Sequence, residues 1–168
     1  AYEEDPKVKK AIVDINQKVY QKDNSILGLW QKGRAWSLEY FEEIYRRLGT
    51  HGGQNPVFDH YYFESESGSV GLKIVEEGLK KGIFVESEGA IVFPGEKYGL
   101  HTRVFINSLG LPTYDAKELG LAPTKYQDFV YDLSIIVTAH EIDEYFKVLL
   151  KTLELLRPNL AAKTRHLS

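Results

Sequence analysis

The chain has 168 residues, 43% of them hydrophobic, 27% charged, and a formal net charge of −3; that is enough apolar material for one core and argues against wholesale disorder. It has no cysteine, which removes disulfides and thiolate metal sites. It also has no apolar run near the roughly 20 residues needed to span a bilayer and no signal-peptide order at its start. Basic residues gather only briefly, at Lys7, Lys9, Lys10 and at Lys163, Arg165, so a general nucleic-acid-coating surface is not favoured. The chain contains no methionine, including at position 1. A piece of a longer protein, at home in the cytoplasm, is the expectation.

Segment 5–23 carries Val8, Ile12, Ile15 and Val19 at helical spacing, and Pro6 sits where a first turn tolerates proline. A second helix is predicted over 25–32. Gly33 interrupts it and Ser37 can cap the next one, where Leu38, Phe41, Ile44, Tyr45 and Leu48 form an apolar stripe closed by Gly49. Tyr20, Trp30 and Trp36 read as core or interface residues, not stacking platforms, because no Arg and Lys stripes flank them. Residues 51–56 form a polar, Gly-rich loop. Residues 57–63, β-branched and aromatic, predict a strand, and Glu64-Ser65-Glu66 at its end reads as a solvated acidic edge.

A helix follows over 70–81, closed by Gly82. Short strands are predicted at 83–86, 90–93 and 102–106, with Glu86 and Glu88 on a solvated edge and a turn at Pro94-Gly95. Gly110-Leu111-Pro112 leads into Thr113, which can cap a helix over 113–122. Leu133-Ser134-Ile135-Ile136-Val137 is almost wholly apolar, as expected of a strand covered on both faces in a parallel sheet. A last helix starts near Ile142, with Tyr145, Phe146, Leu149, Leu153 and Leu156 on one side, and Pro158 stops it. The order helix, buried strand, helix in the second half predicts an α/β fold containing part of a doubly wound, nucleotide-binding (Rossmann-like) parallel sheet. The first half predicts helices with a small antiparallel strand group, and the boundary between them is expected near residue 100.

Two constellations could carry chemistry. Tyr114 and Glu118 lie four apart, hence on one helix face. A phenol beside a carboxylate suits a planar cation such as guanidinium; a packed tyrosine next to a solvated glutamate is the plainer reading. Val137-Thr138-Ala139-His140-Glu141 follows the carboxyl end of the predicted strand and opens a helix, the edge where open parallel sheets bind ligands; simple capping with dipole complementarity from Glu141 explains it equally. The histidines at 51, 60, 101, 140 and 166 form no zinc-type pair, no Gly-x-Ser-x-Gly elbow exists, and neither phosphate-loop glycine pattern occurs. No metal site and no nucleophile are therefore expected from this chain alone.

The run from Pro112-Thr113-Tyr114 resembles the Pro-Thr-Tyr helix of arginyl-tRNA synthetases, class I aminoacyl-tRNA synthetases. Trp36 to Gly49 resembles the helix before that family's Phe-Asp strand, which stands here as Phe58-Asp59-His60-Tyr61-Tyr62-Phe63, and Glu88-Gly89-Ala90-Ile91 resembles its acidic-Gly-Ala turn. The 137–141 segment follows in the expected order, so the similarity runs over nearly the whole chain. The resemblance implies a piece of an arginine–tRNA ligase catalytic region: residues 1–100 from the inserted connective subdomain and 101–168 from the second half of the nucleotide-binding fold. It implies that Tyr114, Glu118 and Glu141 line the arginine pocket and that Thr138, Ala139 and His140 lie near the ATP ribose or adenine. ATP would be a substrate accompanied by Mg²⁺, and tRNA would be a partner.

The family usually has aspartate where Glu118 stands and glutamine where Glu141 stands, so a carboxylate survives at 118 with a longer reach. The family's His-x-Gly-His and Lys-Met-Ser-Lys motifs, which act on the ATP phosphates, do not occur in this sequence. Without them the chain is not expected to activate arginine by itself. The alternative is a non-catalytic, synthetase-derived module that binds tRNA or a partner.

Overall fold

The computed structural model describes residues 5–49 and 58–168. They fall into two compact units that divide between Tyr61 and Tyr62. In the first, α1 (Pro6–Tyr20) begins as expected: Asp5 Oδ1 accepts from Lys7 N at 2.8 Å and Pro6 opens the helix. Lys22, at φ 54°, turns the chain, and Asp23 Oδ1 caps the next helix by accepting from Ser25 N at 2.8 Å. That helix, α2 (Asn24–Leu48), is continuous through Gly33, where two helices were expected. One interior glycine costs only about 1 kcal/mol, and Ser37 Oγ bonds back to Gly33 O at 3.0 Å instead of capping a new start. Neither helix has a buried residue, and Trp36 is exposed with Lys32 above its ring.

Of the strand expected over 57–63, Val57 lies outside the described residues, and 58–63 is not a strand. Its aromatics are taken up by a helix face instead: the Phe58 ring meets Tyr45 at 4.9 Å and Tyr61 at 5.8 Å, and the Tyr61 hydroxyl donates to Glu42. The acidic residues Glu64 and Glu66 are therefore not a strand edge. They form the first turn of α3 (Glu64–Lys80), where they complement the helix dipole.

In the second unit, β1 (Val85–Ser87), β2 (Ala90–Phe93) and β3 (Arg103–Ile106) form an antiparallel sheet in that order, with exposed β1 at the edge carrying Glu86. At the turn expected from Pro94-Gly95 the chain forms a short 3-10 helix, Gly95–Tyr98. Helix α4 (Tyr114–Asp128) runs past Pro123, six residues beyond the expected end at 122. Leu119 and Ala122 are buried and Tyr126 packs edge-on against Tyr131 at 5.1 Å, so packing outweighs the amide that proline lacks. Helices α3 and α4 cross in close contact at Gly71 and Gly120. A Cβ on Gly71 would collide with Ala116 O, and one on Gly120 with Ser67 O. The core beneath is Val75, Phe84, Phe93, Phe105, Leu119 and Phe146.

Strand β4 (Ser134–Val137) pairs in parallel with β5 (Thr164–Leu167). It is covered on one face only, in contrast to the expectation: Ile136 joins the core, while Ile135 is 52% and Val137 74% exposed. Helix α5 (Asp143–Leu156) presents the expected apolar face, burying Tyr145, Phe146, Leu149, Leu153 and Leu156. Pro158 does more than stop it; it opens α6 (Pro158–Lys163), which delivers β5 beside β4. Arg157 ties this corner to α3 through Glu77, Nη2 to Oε2 at 2.6 Å. Hydrogen bonds from Arg157 and then Lys81 hold the Glu77 carboxyl well below its usual range, at about 2.

Candidate functional site

The start of α4 is set by the turn before it. Asn107 Oδ1 accepts from Leu109 N and Leu111 N, each at 3.0 Å, and Gly110 takes the left-handed conformation at φ 74°. Thr113 stands at the helix N-cap, but its hydroxyl does not cap: Oγ1 donates to Val104 O at 2.7 Å, and its amide to Phe105 O at 3.0 Å. The threonine thus fastens the first turn of α4 to β3. The following side chains inherit that fixed origin.

Tyr114 and Glu118 meet on one face as the spacing requires, the phenol near enough to the carboxylate for each to shift the titration of the other. Burial, then the charges of Glu118 and Glu64, push the Tyr114 hydroxyl up to about 12. Glu118 is raised above the usual carboxylate range, chiefly by burial and then by Glu64; the ammonium of Lys125 and the Tyr114 hydroxyl oppose the rise. Lys125 is itself lowered by burial, against the pull of Glu118, and donates to Ser134 Oγ at 3.1 Å.

Two further pairs frame this face. Asp115, almost fully buried, takes Arg103 Nε on Oδ1 at 2.6 Å, and the Arg103 guanidinium lies 4.8 Å over the ring of Tyr145. Lys117 Nζ reaches Glu64 Oε2 at 2.8 Å. The Tyr145 ring stands 5.0 Å from Tyr114, and its buried hydroxyl has no hydrogen-bond partner among the described residues. Asp115 and Glu64 are thus committed to cations of their own, while Glu118 is a desolvated acid with a phenol at its side. Such an arrangement favours an incoming planar cation.

The second constellation is differently placed. Ala139 is exposed, and His140–Ile142 form a 3-10 turn ahead of α5. His140 is 81% and Glu141 69% exposed, their one mutual contact being Nδ1 to Oε2 at 3.8 Å. Glu141 is not brought to Tyr114 or Glu118 by any contact among the described residues. Thr138 is half-buried and held: its amide donates to Leu167 O at 3.0 Å, and its Oγ1 lies 2.7 Å from His166 Nε2. An open groove of about 960 Å³ takes in Asp143, Phe146 and His166 but neither Tyr114 nor Glu118.

Arg103, Asp115, Lys125, Tyr145 and His166 were not picked out by sequence reasoning as site residues. Only Tyr145 carried a signal, its place on the apolar face of α5. Among the described residues no group of three or more His, Cys, Asp or Glu could hold a metal ion, and no helix is long and apolar enough to cross a membrane.

No family model matches the chain. It is 31% identical over 147 residues to the arginine–tRNA ligase of Amoebophilus asiaticus, covering 87% of this chain and 24% of that protein. It is 30% identical over 156 residues to that of Treponema pallidum, covering 92% and 26%. The chain is homologous to part of an arginyl-tRNA synthetase. The crystal structure of arginyl-tRNA synthetase from Plasmodium falciparum superposes on 96% of the chain and 28% of its own length, with a TM-score of 0.74 at 19% identity. That likeness extends the kinship to the fold, an α/β arrangement with one antiparallel and one parallel sheet. The chain spans about a quarter of the length of the curated relatives it matches.

Proposed function

We propose that this chain is part of the catalytic region of an arginine–tRNA ligase, which joins arginine to ATP and passes the arginyl group to tRNA. In this reading Tyr114 and Glu118 form the wall that receives the arginine side chain, and Glu141 approaches it from the 3-10 turn. Thr138, Ala139 and His140 line the ATP ribose or adenine at the carboxyl edge of β4. Residues 1–100 come from the inserted connective subdomain and 101–168 from the second half of a Rossmann-like fold; α3 and the antiparallel sheet then share a core with α4 and α5 across that boundary. The surroundings are those of a cytoplasmic enzyme.

The observation that carries the reading is the Tyr114 phenol beside a partly buried Glu118 with which no arginine among the described residues pairs. A guanidinium entering beside it would supply the charge that burial penalises, and the carboxylate would fall back toward its usual range. The 138–140 turn, with Thr138 half-buried and Ala139 and His140 exposed, would be the surface for the nucleoside part of ATP. Mg²⁺ would arrive with the phosphates, since the described residues offer no acidic cluster for it. The chain's contribution is positioning, with bond-making left to the groups that act on the phosphates, and alone it is expected not to activate arginine.

The test is Glu118→Gln in the complete protein. One charged hydrogen bond is worth ~1.5–3 kcal/mol, so the Michaelis constant for arginine should rise roughly 10- to 150-fold while that for ATP stays put. An unchanged arginine constant removes Glu118 from the pocket.

A further inference from the structure

His166, on β5, is outside every motif that marks the site, yet it is the most firmly held imidazole beside it. Its ring stacks on Phe146 at 4.0 Å and 9°, its side chain is 10% exposed, and its Nε2 lies 2.7 Å from Thr138 Oγ1. Its other nitrogen, Nδ1, stands 3.9 Å from Asp143 Oδ1. That carboxylate oxygen is shut off from solvent and accepts no hydrogen bond from the described residues. The parallel register seats the contact, with Val137 opposite Leu167 and the Thr138 amide on Leu167 O.

We infer that His166 is a positioning residue that turns the Thr138 hydroxyl into an acceptor for a donor group on the nucleoside part of ATP. At 3.9 Å the Asp143 carboxylate makes no hydrogen bond to the ring, but its negative charge favours the proton on the nitrogen that faces it, Nδ1. With the proton on Nδ1, Nε2 of the neutral ring is a bare acceptor, so the Thr138 hydroxyl, which also lies 3.1 Å from Ala139 O, donates into the ring over the shorter 2.7 Å contact. Thr138 Oγ1 then offers only lone pairs on its open side. Those suit a ribose hydroxyl or an exocyclic amine and repel phosphate oxygens. The stack on Phe146 keeps the ring from turning, so the polarity of Thr138 is set before any ligand arrives. This inference rests on the nucleotide-side reading of Thr138 given above.

The experiment uses the complete protein and two readouts. With ¹⁵N-histidine labelling, the neutral His166 ring should show the Nδ1–H tautomer without any ligand; the Nε2–H tautomer overturns the inference. ATP affinity by calorimetry should fall about tenfold in His166→Ala, the effect of one hydrogen bond, with the Michaelis constant for arginine unchanged. His166→Gln, whose amide reaches the Nε2 position, should restore most of the affinity, and His166→Asn, which reaches only the Nδ1 position, should not. Equal loss in Gln and Asn, or equal shifts in the ATP and arginine constants, reduces His166 to a packing residue and overturns the inference. If the unaltered protein binds ATP and His166→Ala binds it equally well, this inference alone falls. If the unaltered protein binds no ATP, the nucleotide reading falls with it.

Discussion

Helix α4 and the turn after β4 both present an acidic residue near the edge of a sheet, yet the two acids live in different media. Glu118 is desolvated, faces a phenol and feels Lys125; Glu141 is open to water with His140 beside it. The difference comes from what lies underneath. Helix α4 is pressed onto α3 at a glycine crossing and fastened to β3 by Thr113, so its side chains are held against a wall. The 138–141 turn rests on a sheet of two strands covered on one face, and only Thr138 is caught by a neighbour. A charge pattern in the sequence becomes a desolvated face only where packing removes the water.

The largest effect should come from the crossing itself. In Gly120→Ala the new Cβ meets Ser67 O and Gly71 N, backbone atoms that cannot swing aside. The helices must part, and the loss of stability should exceed about 3 kcal/mol, the upper end of the usual cost of core overpacking with backbone shifts. Urea unfolding of the chain measures it. A loss under about 1 kcal/mol would show that α4 is not held by α3 and would dissolve the contrast drawn above.

Next comes Arg103→Ala. It leaves Asp115, 4% exposed, without its counter-ion. Removing one partner of a buried pair costs about 3–5 kcal/mol, and the one-third exposure of Arg103 places this case near the lower figure. Arg103→Lys should recover only part, because the fork and the stack on Tyr145 go with the guanidinium.

Glu118→Gln sharpens the comparison from the opposite side. The folded chain raises the Glu118 carboxyl above its ordinary value, so the charged form is the one that folding disfavours. Wild-type stability therefore falls as pH rises from the unfolded value through the raised folded one, and the penalty is complete above that. Free of ligand, the glutamine variant should be more stable than wild type at neutral pH. That advantage should vanish below the usual carboxylate range, where both side chains are neutral. Thermal melts across pH 3 to 8 would read it. A variant less stable at pH 7 would mean Lys125 and Tyr114 already compensate the buried charge.

What could be read beforehand follows a physical line. Segments whose order is periodic declared themselves: α1, the apolar face of α5, strands β2 and β3, and the close approach of Tyr114 to Glu118. Elements sustained by distant partners did not. Strand β5, Thr-Arg-His-Leu, has no alternation of its own and exists because β4 pairs with it. Gly33 and Pro123 look like breaks, but continued hydrogen bonding carries α2 through the one and buried neighbours carry α4 through the other. Around the site, Arg103 finds Asp115 from 12 residues away and His166 finds Thr138 from 28, distances at which spacing carries no signal. The strand expected over 57–63 failed for a related reason: in the described part its aromatics found a helix face before any strand partner.

The smallest effect tests the wet half. His140→Ala removes a ring that is 81% exposed and stands 3.8 Å from the Glu141 carboxylate. An exposed pair of this kind contributes about 0–1 kcal/mol, and surface substitutions usually stay within ±0.5. Stability should therefore be unchanged within error, and any effect on the complete protein should be confined to ATP affinity. A stability loss near that of Arg103→Ala would mean that the turn is clamped by contacts as firm as those of α4. The open surroundings of Glu141 could then no longer be the reason why it and Glu118 differ.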